Sequence, residues 1–168
     1  MKKAILFGML ALTALQAENF LTATGTERYF NVVRRNLESS ADAMPAEKYG
    51  FRLTDGQMTF AQWLNHSTQR NYSDCATLKG ESTPAAERQA ASLTEKAEVS
   101  KALKESFAYC AEALQGMTDQ KAISSAAVSM AFLHLLAHNN EIYGNVVGYL
   151  RVSGIVPPST ASRKGKKK

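Results

Sequence analysis

A chain of 168 residues, 45% of them hydrophobic and with a formal charge of +5, has the size of one domain and the means to build a core. The excess charge is terminal: Lys2 and Lys3 open the chain, Arg163, Lys164, Lys166, Lys167 and Lys168 close it, and without those seven the remainder carries −2. No basic face with interleaved aromatic residues is left, which excludes nucleic acid as a partner.

Residues 1–17 read as a secretory signal. Lys2 and Lys3 supply the positive end, residues 4–15 an apolar run, and Ala14 and Ala17 small residues for cleavage. A membrane-crossing helix needs about 20 apolar residues, so the run is too short to span. Cleavage near Ala17 leaves no stable membrane insertion; the alternative is a retained anchor. The protein is therefore expected outside the cytoplasm, periplasmic or extracellular. Residues 18–158 form the domain. Residues 159–168 are expected as a disordered basic tail, since no apolar side chain follows Ala161.

The domain reads as all-α, with four helical stretches and no strand. The first covers residues 19–43, where Tyr29, Val33, Leu37, Ala41 and Met44 recur at steps of three and four. Pro45 and Gly50 punctuate its end. The second covers residues 59–78. Thr59 and Gln62 have capping-box spacing, Phe60, Trp63, Leu64, Ser67 and Asn71 share a face, and Gly80 ends the run. A polar linker, residues 81–91, contains Pro84. The third covers residues 94–116, with a second capping-box pair in Ser92 and Glu95, and a face of Val99, Leu103, Phe107, Cys110, Ala111 and Leu114. The fourth covers residues 120–152, stopped by Gly154, Pro157 and Pro158. Four helices with modest connections make a four-helix bundle, whose functional sites lie between facing helices.

Two cysteines in an exported chain permit one intramolecular bridge, Cys75–Cys110. An antiparallel pairing of the second and third helices would bring them together; the alternative is two separate buried thiols.

His66, His134 and His138 are the only histidines. His134 and His138 are four apart on one helix and project from one face. Imidazoles at that spacing can chelate one metal ion, and His66 on another helix is placed to add a third ligand. Glu141 and Asn145 follow on the same side. The competing reading is three histidines that only hydrogen-bond neighbours. No GxSxG, phosphate-binding glycine loop, CxxC or HExxH is present.

Two segments carry a resemblance: residues 44–66, MPAEKYGFRLTDGQMTFAQWLNH, and residues 138–159, HNNEIYGNVVGYLRVSGIVPPS. Together they resemble the DinB-like superfamily of four-helix metal-binding proteins, which includes YfiT-like proteins and is unrelated to the DNA polymerase of that name. The likeness is to exported bacterial members and covers the whole mature chain. It implies a divalent metal (Zn, Ni or Fe) held by three histidines, one on the second helix, matching His66, and two in a stretch like HxNEHYGN. His138 matches the first of these, but the second falls on Ile142, which cannot bind metal.

Three outcomes follow from that departure. In the first, His134 replaces the lost ligand and displaces the ion by about 6 Å along the helix. In the second, His66 and His138 hold metal with Glu141 or water. Or the site is lost and the fold kept. The resemblance further implies a metal-assisted transferase or hydrolase acting on a small molecule, and association of two bundles into a homodimer. The rival is a non-catalytic bundle that binds a ligand or partner.

Overall fold

The computed structural model describes residues 19–165; the expected signal, residues 1–17, and the last three lysines lie outside them. Helix α1 (Phe20–Thr24) continues through a π-helical segment (Gly25–Phe30) into α2 (Asn31–Ala43). Then come α3 (Phe60–Lys79), a short α4 (Ala86–Ala90), α5 (Lys96–Gln115), α6 (Asp119–Ala122), α7 (Ala126–Val152) and α8 (Pro158–Gly165). The described residues contain no strand, and none of their helices is long and apolar enough to cross a membrane. The fold is an all-α four-helix bundle made by α1–α2, α3, α5 and α7.

Each long helix forms because its apolar residues recur once per turn and its ends are stopped. Thr59 and Gln62 make the expected reciprocal box: Gln62 N donates to Thr59 Oγ1 at 3.1 Å and Thr59 N to Gln62 Oε1 at 2.8 Å. Gly80 then turns left-handed at φ 73° and ends α3. The stripes meet in one core of Phe30, Leu37, Phe60, Leu64, Leu103, Phe107, Phe132 and Tyr149, each no more than 1% exposed.

The direction of the helices differs from expectation. Asn71 meets Ser106 and Cys75 meets Cys110, so numbers rise together and α3 and α5 run parallel. Residues 80–95, with α4 inside them, carry the chain back to the starting end. Across the other interfaces numbers run oppositely: Trp63 meets Tyr149 and Asp74 meets His134 between α3 and α7, and Phe30 meets Phe107 while Lys96 meets Met44 between α2 and α5. The topology is up–down–down–up. The bridge Cys75–Cys110 forms all the same, with Cα atoms 5.2 Å apart, because the two residues lie at nearly the same height along parallel neighbours.

Four local expectations are corrected. Tyr29 is 53% exposed and Phe30 takes the core position; at 100° per residue Phe30 lies nearer the centre of the stripe through Val33, Leu37 and Met44. Ser92 does not cap α5: its hydroxyl donates to Gln89 O at 3.2 Å, and the helix starts at Lys96. The fourth stretch is two helices, α6 and α7, separated where Ser125 caps α7 by accepting from Val128 N at 3.2 Å. Residues 159–165, expected within the disordered tail of 159–168, belong to α8 (Pro158–Gly165), with Pro158 at its first position and Tyr143 Oη bonded to both Ser159 Oγ (2.8 Å) and Ser159 N (3.1 Å).

The π segment lets α1–α2 come close to α7. A Cβ built on Gly25 would lie 3.0 Å from Leu136 Cδ1 and from Phe132 Cζ, so only glycine fits without repacking. Beyond it, Asp119 ties α1 to the bundle, accepting from Thr22 N at 2.7 Å, Thr22 Oγ1 at 2.8 Å and Leu21 N at 3.0 Å. The Thr22 backbone bond, with those from Leu21 and the Thr22 hydroxyl behind it, holds the Asp119 carboxyl below its ordinary 3.8. A depressed folded pKa contributes stability that is present above 3.8 and lost as pH falls through the folded value. Amide exchange at Leu21 and Thr22 should therefore accelerate selectively below about pH 4, and Asp119→Asn should show the acid behaviour at neutral pH. Equal protection at both pH values would refute the tether.

Candidate metal-binding site

Helices α3 and α7 are antiparallel neighbours, and their facing polar residues form the site. His66 stands on α3, and Arg70 and Asp74 follow at steps of four on the same face. His134, His138 and Glu141 stand on α7. His66 Nε2 and His138 Nε2 face each other at 2.9 Å, with the rings edge to face. His134 stacks on His138, ring centroids 4.5 Å apart and planes 23° off parallel.

Carboxylates set the tautomers on α7. Glu141 Oε2 lies 3.1 Å from His138 Nδ1, and Asp74 Oδ2 lies 2.7 Å from His134 Nδ1. A carboxylate at Nδ1 holds the N–H there and leaves Nε2 as a lone pair. Asp74 is 5% exposed and also accepts from Arg70 Nη2 at 3.0 Å, so each of its carboxylate oxygens has a donor. Burial first, then the neighbouring His138 and Arg70, lowers the His66 pKa below the ordinary 6.5. His66 is thus neutral at pH 7, with one lone pair to offer.

The donor set can be tested against a divalent ion directly. Two neutral imidazoles can approach nitrogen to nitrogen through one N–H, or by sharing a cation. A spacing of 2.9 Å is that of two nitrogens held at about 90° on an ion at about 2.0–2.1 Å, and a tetrahedral ion would spread them to about 3.3 Å. The carboxylate on His138 Nδ1 is the common orienting partner of a metal-bound histidine. Two ligands therefore fit. A third does not converge: among the described residues no group of three or more His, Cys, Asp or Glu side chains could hold an ion. Ile142 is fully buried in the core, so the position that the resemblance gives to the third histidine supplies packing.

The structure thus brings His66 and His138 together and sets His134 against them by ring stacking, turned to Asp74. Asp74 and Arg70 were missed in the sequence. The signal for them was their spacing, since His66, Arg70 and Asp74 stand at i, i+4 and i+8 on one helix face.

The site lies between two antiparallel helices of an all-α four-helix bundle, the architecture that the resemblance implied. The family model of the DinB superfamily matches residues 29–141, and the chain belongs to that superfamily. No curated protein and no solved structure matches it.

Proposed function

We propose that this protein is an exported bundle that binds a divalent metal, Zn, Ni or Fe, through His66 and His138, with His134 the adjoining imidazole. The observation that carries the reading is the 2.9 Å approach of two Nε2 atoms, one of them made a lone pair by Glu141. A bound divalent ion would act as a Lewis acid, lowering the pKa of water or a thiol at its open positions. The chain's own groups do the rest. Glu141 keeps the proton on His138 Nδ1, Asp74 keeps it on His134 Nδ1, and Arg70 anchors Asp74 by donating to Oδ1 at 3.0 Å. Export is supported by the apolar leader pattern and by a disulfide, which persists in oxidising compartments.

Metal-assisted transfer or hydrolysis on a small molecule extends this reading. A specific observation favours the rival, a binding bundle with a reduced site: Ile142 is core, and both nearby carboxylates are committed to histidine Nδ1 atoms, so neither is free to serve as a general base.

Titration of metal-free protein with zinc chloride tests the proposal. One equivalent should bind, His66→Ala and His138→Ala should each weaken it by at least about 100-fold, and Glu141→Ala should weaken it by about 10- to 100-fold. Binding that is indifferent to His66→Ala and His138→Ala would overturn the assignment.

A further inference from the structure

Helix α7 has two faces. Phe132, Leu135, Ile142, Val146 and Tyr149 go into the core. On the opposite side Ala126, Met130, Leu133, Ala137, Asn140 and Gly144 are all exposed. They recur at alternating steps of four and three, the spacing of a seam between paired helices, and at 100° per residue they occupy a stripe about 80° wide. The solvent face of a helix is ordinarily charged. Here Glu141 is the only Asp, Glu, Lys or Arg from Ala126 to Leu150, and it is bonded to His138.

The stripe borders a groove. Phe20, Leu21 and Tyr29, from α1 and the π segment, face Leu133 and Leu136 across an apolar cleft of about 660 Å³, and none of the described residues lining it is charged. Phe20 is 69%, Met130 64% and Leu133 53% exposed. With Leu21 and Tyr29, these side chains leave about 600 Å² uncovered, at the 150–250 Å² or so of each large side chain. That is the upper end for the largest apolar patch of a monomer. The small residues of the stripe bring the face to the roughly 800 Å² that each partner contributes to a stable dimer.

Gly144 is an independent sign. It stands well inside α7 without positive φ, where glycine costs helix stability relative to alanine. A Cβ built on it would meet nothing within 4 Å, so no contact within the chain calls for a glycine there. A second helix lying against the seam would.

We propose that this face binds a second copy of the chain, α7 lying antiparallel to α7 across a two-fold axis. The stripe is complementary to itself in that register. Leu133 falls opposite Ala137 and Met130 opposite Asn140, large against smaller, and Ala126 opposite Gly144, where the backbones approach. Each contact then occurs twice, as a two-fold interface requires. Asn140 does not oppose burial through its donor, since Nδ2 already bonds Leu136 O at 2.8 Å.

Sedimentation velocity of the mature chain tests the pairing. A dimer is expected at about 200 µM. Leu133→Lys should leave monomer at that concentration, because it would bury an unpaired charge from each copy. Gly144→Leu should weaken association at least about tenfold by overfilling the seam. The Tm of its dilute monomer should not fall, since leucine is the better helix former. Added apolar surface that reduces association separates a shaped seam from general stickiness, and Gly144→Leu decides if dichroism shows Leu133→Lys to be misfolded. A wild-type monomer at about 200 µM would overturn the proposal and leave the face to a lipid surface or another protein. So would a dimer that Gly144→Leu, or a folded Leu133→Lys, leaves at full strength.

Discussion

Replacing both Cys75 and Cys110 by alanine should lower the unfolding free energy by about 4 kcal/mol, a fall in Tm of about 10–15 °C for a domain of this size. The two residues are 35 apart in sequence, and on the chain-entropy account the bridge acts by restricting a loop of that length in the unfolded chain. Both cysteines are completely buried, and the backbone spacing is within the ordinary range for a bridge, so the native structure is not strained to make it. The loss should appear equally in denaturant unfolding of the reduced wild-type protein. A difference under about 1 kcal/mol between oxidised and reduced protein would show that the bridge does not constrain the unfolded state.

The second large effect is expected beneath the histidines. Ser67, Asn71, Ser106 and Asn139 form a polar chain in the core, each no more than 1% exposed. Ser67 Oγ donates to Asn139 Oδ1 at 2.6 Å, Asn139 Nδ2 to Asn71 Oδ1 at 2.8 Å, and Asn71 Nδ2 to Ser106 Oγ at 3.0 Å. Ser106 Oγ completes the chain by donating to Leu103 O. This layer joins α3 to both α5 and α7 and fixes their register immediately beside His66 and His138. Asn139→Leu keeps the volume but leaves Ser67 Oγ and Asn71 Oδ1 buried without partners. It should cost about 3 kcal/mol, because each orphaned buried group costs about 1–3 kcal/mol. Converting the partners as well, in Ser67→Ala/Asn71→Leu/Asn139→Leu, should recover about half of that, since an apolar replacement of a whole pair is nearly neutral. Urea unfolding checks both variants. A loss under about 1 kcal/mol for Asn139→Leu would mean that water already satisfies the layer.

What was legible in the sequence follows from the range of the forces involved. Helix identity and most buried faces depend on neighbours within one or two turns, so Val33, Leu37, Leu64, Leu103 and Phe107 were readable, as was the Thr59–Gln62 cap. The parallel course of α3 and α5 was not readable. The polar linker gives no sign that it crosses back over the bundle, and two cysteines can meet in either direction of packing. Ser92 and Glu95 had the right spacing for a cap, but the Ser92 hydroxyl is taken by Gln89 at the end of α4. The pairing of His66 with His138 was legible from the family's ligand positions. The role of His134 was not, because it depends on Asp74, a residue of another helix whose carboxylate turns the imidazole away from the pair. The loss at Ile142 was readable as chemistry; that the position became core needed its packing.

Metal content of the purified mature protein tests most directly the proposed sharing of one ion by His66 and His138. About one equivalent of divalent metal is expected in the wild type, and close to none in His66→Ala or His138→Ala, because each variant leaves a single imidazole. Less than about a tenth of an equivalent in the wild type after incubation with zinc or nickel would contradict it, leaving the 2.9 Å contact as one imidazole N–H donating to the other.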